Sequence, residues 1–292
     1  MKSSLIAFAF ASRMSPSVVH IPSEKLFVSE PIPSWFGNGP NPKNDAAWTN
    51  SNWLKSRFHF SFAEYNSYHN QGFGVLRVMN DDLVQPHRGF GTHPHADMEI
   101  ITYIVEGKLT HKDSMGTSES LGRGSIQYMT AGTGITHSEF NHDDTPLRFI
   151  QTWITPRSRG LTPKYGSFKS SDRCETERKN KLHHLVSDTN NSSSETPVEI
   201  NQDVDAYSAE LDLNGKVSLD LSDKQQAYLL CVEGSIEVDG EKELKRHDAC
   251  EITGKGTLNI EATGVEATEG GDVAHVLIFV MKAVPGSGRK DL

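Results

Sequence analysis

The sequence predicts an all-β protein made of two antiparallel sandwiches or barrels. Three observations carry this expectation. Short runs rich in β-branched and aromatic residues recur at close spacing, with glycine, asparagine and aspartate turn signals between them. One strand–turn–strand pattern occurs twice, as Thr102-Tyr103-Ile104-Val105-Glu106-Gly107-Lys108-Leu109-Thr110 and again as Ala227-Tyr228-Leu229-Leu230-Cys231-Val232-Glu233-Gly234-Ser235-Ile236-Glu237-Val238. Potential metal ligands come in pairs separated by one residue, His93 with His95 and His137 with Glu139. That spacing puts both members of a pair on one face of a strand.

Taken in order, the chain opens with Lys2 and a short apolar run, Leu5 to Ala11, followed by Arg13 and several serines, with no acidic residue before Glu24. Such a stretch fits a signal-peptide core, an organelle presequence or a leader ahead of Met14 equally well, so residues 1–20 stand outside the fold argument. Residues 21–50 are rich in Pro, Gly and Asn and read as loop, with order expected to begin near Trp48. Residues 1–46 are therefore read as a leader. A first domain is expected over 47–165. Its strands are Arg57–Phe62, Gly74–Asp82 running into a turn, Met98–Val105, Lys108–Asp113, Gly122–Met129 as turn then strand, and Leu147–Ile154. The glycine corner Ala131-Gly132-Thr133-Gly134 leads into the second ligand pair. Residues 166–198 are polar, with the low-complexity run Ser187–Glu195, and read as a linker or insertion. A second domain is expected over 199–284, with a late core strand at His275–Val280. There Asp248-Ala249-Cys250-Glu251 stands where the glycine-led strand of the first repeat stands, and no ligand pair precedes it.

Composition narrows the function. The chain has 292 residues and a formal charge of −9 spread along its length. That balance argues against a duplex nucleic-acid binder working by phosphate neutralisation. No apolar run approaches the length of a membrane span. Three scattered cysteines, Cys174, Cys231 and Cys250, make neither a disulfide framework nor a zinc knuckle, and they suit a reducing compartment. A cytoplasmic or nuclear location is the expectation, with the leader leaving organelle targeting open.

Three imidazoles and a carboxylate on neighbouring strands suit Fe, Mn, Co, Ni, Cu or Zn. With no cysteine near the motif, a closed structural zinc site is the poorer reading. A His-rich site in a β-barrel can keep positions open for water, substrate or oxygen. Glu99, four residues beyond His95, competes with Glu139 for the carboxylate role. His87, His111 and His142 read as surface groups or as supports for the ligands. Lys108, Lys112 and Asp113 read as a solvated strand face, and Tyr103, Tyr128, Met129 and Phe149 as core.

Residues 48–165 resemble the pirins, metal-binding members of the cupin superfamily. The resemblance is carried by Phe58-His59-Phe60-Ser61-Phe62-Ala63, Arg77-Val78-Met79-Asn80-Asp81-Asp82, Gly89–Glu99, His111-Lys112-Asp113-Ser114-Met115-Gly116 and Met129–Asn141. The Asp-Met-Glu and Lys-Asp-Ser-Met-Gly wording is similar to the bacterial pirin-like quercetinases. The resemblance implies a bicupin of two jelly-roll-like antiparallel barrels with a metal only in the first. By motif it implies His93, His95, His137 and Glu139 as ligands, and leaves Glu99 out. The implied metal is most often iron, with Cu, Ni, Mn and Zn as alternatives. The implied activity is opening of the flavonol ring of quercetin by dioxygen with release of carbon monoxide, Glu139 taking the proton of the flavonol hydroxyl. A flavonol-like substrate and dioxygen are then the partners of a monomer. The animal members imply an alternative, an iron-dependent redox-sensing transcription cofactor that binds a protein partner without turnover. This chain departs from the family in its leader, in the Ser/Asn-rich stretch near 187–196 and in the charged run Glu241–Arg246, none of which touches the ligand motifs.

Overall fold

A computed structural model describes residues 15–39, 52–170 and 177–285. The apolar run Leu5–Ala11, Met14, Trp48 and Cys174 lie outside the described residues.

The first half contains β1 (Ser17–Ile21), β2 (Phe27–Ser29), β3 (Leu54–Phe58), β4 (Leu76–Val84), β5 (Gly89–His95), β6 (Glu99–Glu106), β7 (Leu109–Asp113), β8 (Ser118–Leu121), β9 (Ile126–Thr130), β10 (Ile135–Phe140), β11 (Leu147–Ile154) and β12 (Lys164–Phe168). The second contains β13 (His183–Asp188), β14 (Val198–Ile200), β15 (Val204–Leu211), β16 (Lys216–Leu221), β17 (Gln225–Glu233), β18 (Ser235–Val238), β19 (Lys242–Lys245), β20 (Ala249–Thr253), β21 (Gly256–Gly264), β22 (Glu266–Thr268) and β23 (Gly271–Lys282).

Four sheets result. The order β12-β9-β6-β11-β4-β3-β2 makes a seven-stranded sheet, and β5-β10-β7-β8 a four-stranded sheet. In the second half β1-β20-β17-β23-β15-β13-β14, with β22 beside β23, makes an eight-stranded sheet, and β16-β21-β18-β19 a four-stranded one. The internal repeat is therefore structural: β20-β17-β23 takes the sheet positions of β9-β6-β11. Each half is an open two-sheet jelly roll, in keeping with the sandwich-or-barrel, jelly-roll-like expectation.

The near-continuous apolar runs follow from strands buried on both faces. On β6, Ile101, Tyr103 and Val105 point to a core shared between the halves, while Ile104 packs with Leu109, Leu121 and Phe149 inside the first sandwich. On β17, Tyr228, Leu230 and Val232 face the shared core, and Leu229 and Cys231 face the interior of the second sandwich. Leu277, Phe279 and Met281 of β23 meet them from the same sheet. Burying each such side chain contributes about 1.5–3 kcal/mol. The seam also holds ion pairs. Arg123 Nη2 lies 2.9 Å from Glu210 Oε1 and 2.7 Å from Glu233 Oε2. His275 bridges Glu233 (3.0 Å) and the Tyr103 hydroxyl (3.0 Å). The second sandwich is filled by aliphatic side chains with Cys231 and Cys250.

The structure corrects four expectations. Among the described residues regular structure is already present at Ser17, well before Trp48: β1 pairs with β20 of the second half, and β2 pairs with β3 of the first. The strand expected over Gly74–Asp82 runs instead from Leu76 to Val84, its polar Asn80–Asp82 lying in strand interior where Arg148 neutralises Asp81 and Ser56 bonds Asp82. The strand expected over Arg57–Phe62 ends at Phe58, after which the backbone folds into bends and a bridge between Phe62 and Tyr65. The linker expected over 166–198 contains β13, whose Leu185 and Val186 enter the shared core.

Candidate metal centre

The site is built on the inner face of the sheet β5-β10-β7-β8. Along β5 the alternation holds: His93 and His95 are partly shielded, while Thr92, Pro94 and Ala96 are exposed. β10 runs antiparallel to β5 with His137 directly opposite His93. The turn feeding β10 needs its glycine. Gly132 sits at φ +47°, and a Cβ there would collide with the Leu161 carbonyl oxygen. An L side chain meets both the left-handed backbone and that contact, so glycine sets the entry angle of β10.

Three imidazoles converge. His137 Nε2 lies 3.0 Å from His95 Nε2 and 3.1 Å from His93 Nε2. His93 donates from Nδ1 to the Gly91 carbonyl at 2.7 Å, which leaves its Nε2 lone pair facing the cluster. Burial, and then the neighbouring rings His137 and His93, push His95 down to about 3. Burial, His93 and His111 do the same to His137, also to about 3. His95 and His137 are thus neutral near pH 7, and the three rings turn nitrogens toward one point. This donor set fits a divalent transition metal, for which neutral imidazole is a favoured ligand. His95 packs edge-on against Trp153 (centroids 4.8 Å), and His93 against Phe36 (5.7 Å). Phe36 belongs to the segment read from sequence as leader, so that segment supplies one wall of the site.

Glu139 shares the buried interior. Its carboxylate accepts from Gln127 Nε2 at 2.8 Å and from Gln151 Nε2 at 2.9 Å, one amide to each oxygen. The Thr102 hydroxyl lies 3.1 Å from Glu139 Oε1 and donates to Gln151 Oε1 at 2.6 Å. Thr102, Gln127 and Gln151 form one row across β9-β6-β11, so the large sheet holds the carboxylate from below.

The structure groups these residues into two overlapping sets. His93, His95 and His137 form one, and His111, His137 and Glu139 the other, with ligand atoms in each set within 4.8 Å of one another. His137 is common to both. Glu99 is not in either set. The chain turns at Asp97 (φ +50°), so Glu99 opens β6, where it accepts from Thr130 Oγ1 at 2.8 Å and from Asn201 Nδ2 at 3.1 Å. His87 and His142 are exposed.

His111 and Asp113 depart from the solvated face expected of that strand. His111 is 1% exposed and its Nε2 lies 3.1 Å from Asp113 Oδ2. Asp113 also accepts from the amides of Met115 (2.9 Å) and Thr117 (3.0 Å). Burial opposes its charge, but the bonds from His111, Thr117 and Met115 outweigh it and hold the carboxyl below its ordinary range. Sequence reasoning did not single out Gln127, Gln151, Thr102 or Trp153. The available signal was a lone polar residue inside an apolar strand, as in Ile126-Gln127-Tyr128 and Ile150-Gln151-Thr152.

An open surface hollow of about 510 Å³, lined by Pro94, His95, Ala96, Ser114, Gly134, Ile135 and Thr136, reaches His95 but not His93, His137 or Glu139.

Comparison with known proteins matches both halves. The pirin model covers residues 42–154, and the quercetinase C-terminal cupin domain model covers residues 185–279. A pirin-like protein of Caulobacter vibrioides is 37% identical over 212 residues, which is 72% of this chain and 88% of that protein. A quercetin 2,3-dioxygenase of Escherichia coli K12 is 50% identical over 123 residues, 42% of this chain and 53% of that protein. The crystal structure of the bacterial pirin YhhW from Escherichia coli in complex with nickel(II) superposes with a TM-score of 0.72 at 28% identity, covering 92% of this chain and all of that one (100%). With two paired jelly rolls, imidazoles gathered in the first of them and relatives matched along most of its length, the chain belongs to the pirin family of the cupin superfamily.

Proposed function

We propose that the protein is a metal-dependent dioxygenase of the quercetin 2,3-dioxygenase type. It opens a flavonol ring with dioxygen and releases carbon monoxide. His93, His95, His137 and Glu139 hold one divalent transition metal, iron in the first instance. The observation that carries this reading is the position of Glu139, a buried carboxylate beside His137 whose two oxygens are each held by a side-chain amide. The names of the relatives support it.

The residues divide the work. The three imidazoles bind through ring nitrogens, and desolvation keeps those of His95 and His137 free of protons. A bound metal would supply Lewis-acid and redox chemistry for the substrate oxygen and dioxygen. Glu139 accepts the proton of the flavonol hydroxyl, a role that needs a fixed geometry more than an extreme basicity. Gln127 and Gln151 fix that geometry.

The test is loss of flavonol absorbance together with oxygen consumption, run with protein loaded separately with iron, copper, nickel and manganese. Turnover with at least one metal, abolished in Glu139→Gln, is expected. No turnover with any of the four overturns the reading.

A further inference from the structure

β5 carries His93 and His95, yet it ends its sheet: among the described residues it pairs with β10 alone. An uncapped edge leaves backbone N–H and C=O groups without partners. Here the outer edge is met by residues 33–38, which lie far ahead of β5 in the sequence. A single turn of 3-10 helix, Pro33–Phe36, ends at Gly37 in the left-handed region (φ +71°), and the Asn38 N–H donates back to the Pro33 carbonyl at 3.0 Å. That reversal brings the Asn38 side chain onto Gly89. Its Nδ2 donates to the Gly89 carbonyl at 2.9 Å, and the Gly89 N–H donates to its Oδ1 at 3.1 Å. One side-chain amide thus stands in for a strand neighbour. Two residues along β5, the Phe36 carbonyl oxygen lies so close to Gly91 that a Cβ there would come within 2.8 Å of it.

The strand is irregular at that point. Phe90 pairs with Glu139 and His93 with His137, so the two residues Gly91 and Thr92 stand opposite the single residue Ser138. This is a β-bulge, and it resets the alternation of the strand. Phe90 packs against the interior of the first sandwich, and His93, three residues on, also turns inward to His137. In a regular strand two residues three apart point to opposite faces, so without the bulge His93 would leave the cluster. Gly91, inside the bulge, is also the residue whose carbonyl accepts from His93 Nδ1 at 2.7 Å. The Phe36 ring completes the contact, edge-on to Phe90 (centroids 5.3 Å) and Trp53 (5.7 Å) as well as to His93.

We infer that Phe36 and Asn38 are positioning residues for the metal centre: they clamp the Gly91–Thr92 bulge from the open edge of β5 and so fix the aim of His93. Asn38 holds the strand just before the bulge, and Phe36 holds the bulge itself and the ring that follows it. The clamp lies outside the stretch matched by the pirin model, which begins at residue 42. Groups that orient a ligating histidine are worth roughly 10–100-fold in metal affinity. The inference rests on the ligand role proposed above for His93, although its first test needs no metal.

Three-bond NMR couplings on metal-free protein read the χ1 angle of His93. A single rotamer is expected in the wild type, and rotamer averaging in Asn38→Ala and in Phe36→Ala, with His95 keeping one rotamer in both. An unchanged His93 rotamer in the variants overturns the inference. So does averaging of His95 together with His93, which would mean a general loosening of the sandwich. Asn38→Ala removes the clasp without touching the aromatic cluster, so the result is available even if Phe36→Ala does not fold. Nickel(II) alone, titrated against a competing chelator, gives the second readout. Both variants are expected to bind about tenfold or more weakly than wild type, and Phe36→Tyr, which keeps the ring, to bind as wild type does. In a His93→Ala background, adding Asn38→Ala should change affinity by no more than about twofold. Unchanged nickel affinity in Asn38→Ala overturns the inference, as does a full loss that persists in the His93→Ala background, since the clamp would then act through another group. Equal nickel affinity in His93→Ala and wild type would instead overturn the ligand reading, and the rotamer result would decide the clamp on its own.

Discussion

Arg148 grips Asp81 with two parallel bonds at the seam between the halves: Nε to Oδ1 at 2.8 Å and Nη2 to Oδ2 at 2.7 Å, each side chain 1% exposed. Both residues belong to the first half. The same Arg148 Nη2 donates to the Val232 carbonyl at 2.8 Å, and Asp81 Oδ2 lies 2.6 Å from His247 Nδ1, both groups of the second half. Arg148→Met therefore leaves a buried carboxylate with its guanidinium partner gone and the His247 imidazole still hydrogen-bonded to it. A loss of about 3–5 kcal/mol is expected from urea unfolding, most of it the cost of the stranded charge. Arg148→Met combined with Asp81→Leu should recover much of that loss.

The acid limb of stability should carry the same signature. Burial raises Asp81, but Arg148 and His247 overcome it and hold the carboxyl well below its ordinary value. A depressed carboxyl adds stability above its unfolded value near 4, and that stability is lost as pH falls through the folded value. Glu233 behaves likewise under His275 and Arg123, which outweigh its burial. Melting temperature should therefore drop between about pH 4.5 and pH 2, and in Arg148→Met that part of the drop belonging to Asp81 should shrink.

Asp82 predicts the opposite slope. Burial, against a weaker pull from Ser56 and with a push from Asp81 and Glu139, raises it to about 8. The folded state then holds a proton that the unfolded state releases, so stability falls as pH rises from about 4 to about 8. Asp82→Asn should remove this slope and be more stable than wild type at pH 8, by on the order of a few kcal/mol. Denaturant midpoints of the two proteins across that range check it, and parallel curves would refute it.

Gly132→Ala tests how the ligand strand is aimed. The left-handed backbone (φ +47°) and the collision with Leu161 should destabilise the protein by about 1–3 kcal/mol or more. Metal affinity should fall as well, because β10 carries His137 and Glu139. An alanine variant with unchanged melting temperature and nickel affinity would show that the corner is not needed.

Removal of single imidazoles should be additive neither with one another nor with fold stability. His93→Ala, His95→Ala and His137→Ala are each expected to lower metal affinity by more than about a hundredfold, beyond the loss of a supporting hydrogen bond. Their metal-free melting temperatures should stay within a few degrees of wild type, since the sandwich interior, not the metal, supplies the core. Saturating metal should stabilise the wild type by mass action, by about 2.7 kcal/mol at a hundredfold excess over Kd, and raise its melting point accordingly.

The sequence shows some of these features and hides others for identifiable reasons. The pairs His93/His95 and His137/Glu139 were legible because a strand alternates its faces strictly, and the structure shows that alternation along β5 and β10. His111 and Asp113 have the same spacing, yet the lysines beside them suggested a wet face. Lys112 is indeed exposed, and the pair points inward because the neighbouring strand demands the opposite parity. Glu99 looked like a rival ligand only on the assumption that one strand ran through Asp97, where the backbone in fact turns. β1 gave no local signal, because its partner lies more than two hundred positions further along the chain.

That last pairing has a consequence for biosynthesis. β1 leaves the ribosome more than two hundred residues ahead of β20, its partner from Ala249 to Thr253. At translation rates of about 5–20 residues per second, β1 waits on the order of ten to fifty seconds for the edge it will complete. The first jelly roll can close meanwhile around its own strands, while the second cannot finish its large sheet without a segment made before either. Synthesis order and assembly order are therefore opposed at this one edge, and a ribosome that stalls before residue 249 leaves an unpaired strand exposed at the start of the chain.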